Sequence, residues 1–463
     1  MKKRTSGRRA FAVAAILAAG ALHGQTGSPV SLNIRDAVAA AVKNYPAIRV
    51  TQEDMNAAAA GIRLARTAYL PRVDGVAQIN RATRNTFYGL LLPQSVIPGV
   101  DGVHANNTGS VWDSGVGVLV TWQPFDFGLR RANVAAAEAA RDLAQAAAER
   151  SKYDVSVAAA DAFLTAVAAQ QTAQSTRAAV QRWEALLKTT HALVAAQLRP
   201  GADESRVQAE LAFARTQLAQ AEQATAAARA TLAQFAGRSA STADLDSAPL
   251  ITGLPPEGPE APLDIAANPL AHQQNAAIAQ QKSQLTALER TYYPQFSVQG
   301  LAAVRGTGLE TNGARLGGAN GLAPTTQNYG LGLTVTFPAM ERFALREQEA
   351  IQSAHIRAGQ AQYDLVAANL EARFQTALAN LAGARSVAMN TPVAVSSARA
   401  ALDQARARYQ AGLAAIDDVA QAERLLVGAQ IDDSLARLNV WRARLQVQAE
   451  RGDIEPFLAE AAR

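Results

Sequence analysis

The stretch Asn328-Tyr-Gly-Leu-Gly-Leu-Thr-Val-Thr-Phe337 alternates without a break. Successive side chains of a strand point to opposite sides. Tyr329, Leu331, Leu333, Val335 and Phe337 therefore share one face, and Gly330, Gly332, Thr334 and Thr336 share the other. Residues 112–122 repeat the pattern, with Val116, Val118, Val120 and Trp122 opposed by Gly115, Gly117 and Thr121. In 294–304, Phe296, Val298, Ala302 and Val304 stand against Gln295, Ser297 and Gln299. In 72–80 the signal is weaker, Val73, Ala77 and Ile79 against Arg72, Asp74, Gln78 and Asn80. Each run is roughly ten residues, the length of a tilted strand that crosses a bilayer. Aromatics near the ends, Trp112, Trp122, Tyr329 and Phe337, suit interfacial girdles, and a Gly/Thr/Gln face suits a wet lumen. A soluble sandwich resting its apolar face on helices produces the same alternation. Four strands are too few to close a barrel, and an open edge is not tolerated in lipid. The membrane reading thus demands several chains.

The intervening segments are helical and very long. From Leu129 to Arg199 there is neither Gly nor Pro. A helix of roughly 70 residues reaches about 105 Å, too far to wrap a compact core. Tyr153, Val157, Ala160, Leu164 and Val167 follow a coiled-coil seam, and Val180, Trp183, Leu187 and Val194 continue it in shifted register. Ala367, Leu370, Phe374, Ala377 and Leu381 repeat the seam, where Gly359, Gly383 and Pro392 predict interruptions and a bend near the proline. Both long helices end at a glycine turn, Arg199-Pro200-Gly201 and Gln410-Ala411-Gly412, with glycine expected to supply the left-handed residue. A second helix follows each turn, so each half holds an antiparallel helical hairpin. Asp203 reads as a helix cap.

These segments recur in order, the mark of an internal duplication. Pro46 and Pro71 are separated by the same distance as Pro269 and Pro294. Trp122-Gln-Pro124 answers to Phe337-Pro338, Tyr153-Asp154-Val155 to Tyr363-Asp364-Leu365, and Gly201 to Gly412. The expected organisation has a first repeat over 25–237, with strands 72–80 and 112–122 and a hairpin over 129–236. A second repeat covers 268–450, with strands 294–304 and 328–337 and a hairpin over 339–450. Between them, 238–267 carries Pro249, Pro255, Pro256, Pro259 and Pro262 and reads as a linker or equatorial belt; 451–463 reads as a tail. The loops 81–111 and 305–327, rich in Gly and Asn, are expected outside the cell.

Composition excludes most alternatives. The net charge of +5 resides in Lys2, Lys3, Arg4, Arg8 and Arg9, ahead of a short apolar run and small residues. Residues 1–24 read as a secretory signal peptide, the run being too short for a comfortable membrane anchor. Without them the chain is near neutral and carries no nucleic-acid footprint. There is no cysteine, hence no disulfide, thiolate chemistry or N-terminal lipidation. His104, His191, His272 and His355 are scattered without metal spacing, and no GxSxG or P-loop is present. Neither an enzyme nor a cofactor or metal is expected.

The motifs in order resemble the TolC-like outer-membrane efflux proteins, from about Leu32 to Glu450. The opening Leu32…Ala37-Val38…Ala41-Val42-Lys43-Asn44-Tyr45-Pro46-Ala47-Ile48 is similar to the family's entry motif. Trp122-Gln-Pro-Phe-Asp-Phe-Gly128 resembles its strand-to-helix junction, and Tyr409-Gln-Ala-Gly412-Leu-Ala-Ala-Ile416-Asp-Asp418-Val419 its periplasmic turn. The resemblance implies an α+β membrane protein: a homotrimer with a 12-stranded β-barrel, four strands per chain, continued by an α-helical barrel across the periplasm. It implies a passive exit duct working with a periplasmic adaptor and an inner-membrane pump of RND, ABC or MFS type, set in outer-membrane lipid. It also implies gate residues Asp418 and Asp417, with Gln421 where a second Asp is common and Tyr409 in a gate-holding network whose usual arginine is replaced by Ala414. Adaptor docking falls on Arg199, Pro200, Gly201, Gln410, Ala411 and Gly412. Two alternatives stay open. Asp417 and Asp418 can simply complement a helix N-terminus, and a periplasmic coiled-coil tether without a channel would also explain export and hairpins. The cargo is not legible.

Overall fold

A computed structural model describes residues 31–83, 110–258, 260–310 and 314–462. The expected leader 1–24, and residues 84–109 of the first long loop with His104, lie outside the described residues. The chain opens with β1 (Ser31–Leu32) and α1 (Ile34–Asn44), whose Asn33 cap accepts the Asp36 backbone N–H at 2.8 Å. Then follow α2 (Pro46–Thr67), β2 (Arg72–Thr83), β3 (Ser110–Phe125), α3 (Leu129–Ala195) and α4 (Gly201–Ala236). After a short 3-10 turn come β4 (Asp244–Leu245) and α5 (Ala248–Thr252). The second half runs α6 (Pro269–Arg290), β5 (Gln295–Thr307), β6 (Thr326–Thr336), α7 (Glu341–Gln410), α8 (Ile416–Arg451) and α9 (Glu455–Ala461). Corresponding helices of the two halves have 22 and 22, 67 and 70, and 36 and 36 residues.

Residues read from the sequence as linker or equatorial belt, and as tail, contribute side chains to the main core. β4 pairs in parallel with β1. Leu250 of α5 and Phe457, Leu458 and Ala461 of α9 are buried with Ile34, Ala37 and Ala41 of α1 against Val155, Ala159, Phe163 and Ala166 of α3. The tail is thus a packed helix, because Phe457 and Leu458 bury apolar surface that an exposed segment would leave in water.

The expected interruption of the second long helix does not occur: α7 is one helix through Gly359, Gly383 and Pro392. Pro392 removes one N–H, yet a tie to α8 holds this turn, the Thr391 hydroxyl lying 2.7 Å from Asp433, which also accepts from Arg437 at 3.2 Å. Gly359 has a packing reason. A Cβ there would meet Gln281 Oε1 at 3.1 Å and Ile278 at 3.2 Å, where α6 crosses close.

The four long strands form one antiparallel sheet in the order β2-β3-β5-β6, with β2 and β6 at its edges. Register aligns Val73 with Val120, Ala77 with Val116, Val116 with Val304, and Val298 with Leu333. The apolar positions of all four strands therefore share one face. That face is bare: Tyr329 is 93% and Leu331 82% exposed, and Val73, Ile79, Val116, Leu333 and Phe337 are also exposed.

Candidate functional site

Two regions concentrate the chemistry: the hairpin tips at one end of the helices, and the strand-to-helix junction at the other.

At the second tip, Gly412 has φ +82°, and the Leu413 N–H returns to the Arg408 carbonyl at 2.8 Å. The first tip makes the same closure with Leu198 and Leu193 at 2.9 Å. Its left-handed residue, however, is Gln197 at φ +60°, not Gly201, which is already the first residue of α4. This corrects the pairing of Gly201 with Gly412. Gln197 matches Gly412, Leu198 matches Leu413, and Pro200 precedes α4 as Ala415 precedes α8. Asp203 then sits at the third helical position, as Asp418 does. It is not the expected cap. Pro200 holds the cap position, and Asp203 accepts a hydrogen bond from the Tyr409 hydroxyl at 2.9 Å.

The two tips are thereby joined. Tyr409 is buried, its ring lies 4.3 Å from the Arg199 guanidinium, and Arg199 donates to the Tyr409 backbone carbonyl. Burial, reinforced by the bond to Asp203, pushes the Tyr409 phenol above its ordinary pKa. Arg199 of the first tip thus supplies the guanidinium that meets Tyr409 of the second. Asp417 pairs with Arg206 at 3.0 Å, Arg206 with Glu210 at 3.3 Å, and Glu210 with Arg424. Deeper, buried Glu423 on α8 accepts from Arg406 of α7 at 3.1 Å and from Arg182 of α3. Gln421 lines a cleft of about 530 Å³ with Asp203, Arg206, Asp417 and Arg424. Asp418 stands apart. It is exposed, and its carboxylate accepts the Ala415 N–H at 3.2 Å, a helix-capping contact. Pro200, Gly201, Gln410, Ala411 and Gly412 are exposed and Arg199 half-buried. Leu198 (70%) and Leu413 (71%) crown the tips. Sequence reading missed both leucines, although each follows its left-handed residue directly.

At the junction, a register shift in β3 between Trp122 and Phe125 turns the chain out of the sheet. Phe127 (φ +51°) and Gly128 (φ +89°) complete the turn into α3. Asp126 and Arg130, both buried, hold it: Arg130 donates from its backbone N and its Nε to Asp126 Oδ2, each at 2.8 Å. The same guanidinium reaches the Pro124 and Ala68 carbonyls at 3.2 and 3.4 Å and lies over Tyr69 at 4.7 Å. Burial alone would raise the Asp126 pKa. The Arg130 hydrogen bonds and charge outweigh it and hold the carboxyl below its ordinary value.

Around this knot, Phe125, Phe127, Phe296 and Tyr293 form a ring cluster with centroids 4.6 to 6.2 Å apart. Trp122 donates to the Tyr69 carbonyl at 3.2 Å. Trp122 and Phe337 thus mark the helix end of the sheet, and Trp112 and Tyr329 its loop end. The cluster was foreshadowed by the two phenylalanines of the junction motif, but its partners Tyr293 and Phe296 come from the other half. Among the described residues no helix is long and apolar enough to cross a membrane, and no group of side chains could hold a metal ion.

Residues 37–238 match the outer membrane efflux protein family. A comparison with curated proteins finds no match. Among solved structures, the chain is similar to the CmeC outer membrane channel of Campylobacter jejuni, with 14% identity over 100% of this chain and 98% of that one and a TM-score of 0.69. The outer membrane protein VceC of Vibrio cholerae matches at 16% identity over 90% and 96%, TM-score 0.69. The open state of the MtrE outer membrane channel of Neisseria gonorrhoeae matches at 14% over 90% and 88%, TM-score 0.67. The family's pattern thus covers residues 37–238, and over nine-tenths of its length the chain has a fold similar to that of these channels.

Proposed function

We propose that this protein is an outer-membrane exit duct that conducts solutes passively, without chemical change. One observation carries the reading: a four-stranded sheet whose apolar face is uncovered, in a chain whose described helices cannot span a bilayer. An uncovered apolar face of that extent needs lipid or protein against it, and two open edges need further strands. Three copies supply twelve strands, and the long helices of three copies, arranged as tandem repeats over 25–237 and 268–450, continue the barrel as a periplasmic tunnel. The leader 1–24 directs export. The work of moving substrate falls to an inner-membrane pump through a periplasmic adaptor. The hairpin tips Arg199–Gly201 and Gln410–Gly412 receive the adaptor, with Leu198 and Leu413 as their apolar contacts.

The tips also form the gate. Tyr409, Asp203 and Arg199 hold the second hairpin to the first, Asp417 and Gln421 line the cleft between them, and Asp418 faces the mouth. An exit duct needs no catalytic group, and Asp203, Asp417, Glu210 and Glu423 serve as interhelical ties. The test is electron microscopy of detergent-extracted protein. A hollow threefold particle well over 100 Å long supports barrel plus tunnel by helix length. A compact particle that needs no detergent overturns the channel and favours a periplasmic tether.

A further inference from the structure

Among its described residues, the sheet's apolar face carries one charge. Register sets Arg81 on the same side as Val73, Ala77 and Ile79, directly opposite Trp112. Following that side across β3, β5 and β6 leads through Val116, Val118, Val298, Leu331 and Leu333. Among the described residues of this face, Arg81 is the charged one. Elsewhere on the sheet, Arg72 and Asp74 belong to the opposite face and pair with each other at 2.9 Å.

Arg81 is neither at mid-strand nor loose. It sits at the loop end of β2, away from the helices, with its Nε donating to Ser110 Oγ at 3.0 Å and its guanidinium 5.3 Å from the Trp112 ring. Those two contacts fix the plane of the group. Its two terminal nitrogens have no hydrogen-bond partner among the described residues, and the residue is exposed. A lipid-facing arginine costs about 2–4 kcal/mol at the bilayer midplane and about 0–1 near the interface. The loop end, beside an interfacial tryptophan, is where that cost falls away. A guanidinium held by Nε and offering its terminal nitrogens matches the fork geometry of phosphate recognition.

We propose that Arg81, steadied by Ser110 and Trp112, binds a phosphate carried by a lipid headgroup in the outer leaflet. The inference rests on the barrel reading above, which sets this face in lipid and this end outward. Lipid-borne rather than free phosphate follows from the site's position on the apolar face: a ligand there lies beside Trp112 and Ile79, where an acyl-linked headgroup gains contact that a free ion does not.

The test uses the full-length protein extracted in mild detergent, stripped of lipid, and incubated with bis-phosphorylated lipid A, dephosphorylated lipid A or inorganic phosphate. Native mass spectrometry reads the lipid retained per assembly. The wild type should keep the phosphorylated lipid and release the dephosphorylated one. Arg81→Gln should retain about fivefold less, the factor one cation supplies at an anionic membrane surface, and Arg81→Lys should keep most of it. The assembly mass in the same spectra reports whether each variant folds. Equal retention by Arg81→Gln, equal retention of the dephosphorylated lipid, or displacement by inorganic phosphate overturns the headgroup assignment and leaves the barrel standing. If no lipid of any class is retained and the protein stays soluble after detergent removal, the barrel reading fails and the assignment falls with it.

Discussion

Asp126 and Arg130 are four residues apart, both buried, and each satisfies the other's charge while the guanidinium also closes two carbonyls. Removing one partner of such a pair strands the other, so Asp126→Asn should destabilise by about 3 kcal/mol. The pH dependence follows from the depressed folded-state pKa of Asp126. Its contribution is fully present above the unfolded value of about 3.9 and is lost as pH falls through the lower folded value. Acid unfolding of the wild type, followed by near-ultraviolet circular dichroism, should show that extra loss below about pH 4, and the Asn variant should not. At the other end, Tyr409 donates one hydrogen bond across the tips to Asp203. A typical bond of this kind contributes about 1 kcal/mol, so Tyr409→Phe should raise the open-to-closed ratio about fivefold in planar bilayer recordings. An unchanged open probability would mean that the Arg199 stack alone holds the tip.

At the scale of elements, the sheet's two faces make opposite demands. On β6, Leu331 belongs to the bare apolar face and Thr334 to the other. Leu331→Arg should cost about 2–4 kcal/mol of insertion if the face meets lipid, and Thr334→Arg should be tolerated. Fractionation of outer membranes from cells expressing each variant checks this, and equal behaviour of the two would argue for a protein-covered sheet. The long helices show how context overrides local propensity. Pro392 and two glycines signal breaks in α7, yet Thr391–Asp433 and the close crossing of α6 at Gly359 hold it as one helix. Conversely, the first tip lacks a glycine where one is expected, and Gln197 adopts the left-handed conformation that closes it.

At the scale of the whole molecule, the proposed threefold assembly would give Asp418 a setting that one chain lacks. In a single chain Asp418 does no more than accept the Ala415 N–H. In a threefold assembly its exposed carboxylate would join two others at the mouth, where a ring of like charges attracts cations. Asp418→Ala should then abolish block by divalent cations in bilayer recordings. Block that persists, with a small loss of thermal stability, identifies the residue as a cap.

What the sequence determined by itself was whatever depends on periodicity. The alternation of Tyr329, Leu331, Leu333 and Val335 and the uninterrupted span from Leu129 follow from backbone geometry, which a linear pattern records directly. The TolC-like motifs likewise lie in contiguous residues. What only the tertiary structure decided was everything that joins residues distant in sequence. Asp203 meets Tyr409, Glu210 meets Arg424, and Glu423 meets Arg182, because two hairpins lie side by side. The C-terminal segment becomes a core helix because α9 packs on α1 and its Phe457 meets Trp441 of α8. The first tip was misaligned for the same reason: the turn is specified by its closing Leu198-to-Leu193 bond and by how the tips pack, and neither leaves a glycine in the sequence to mark it.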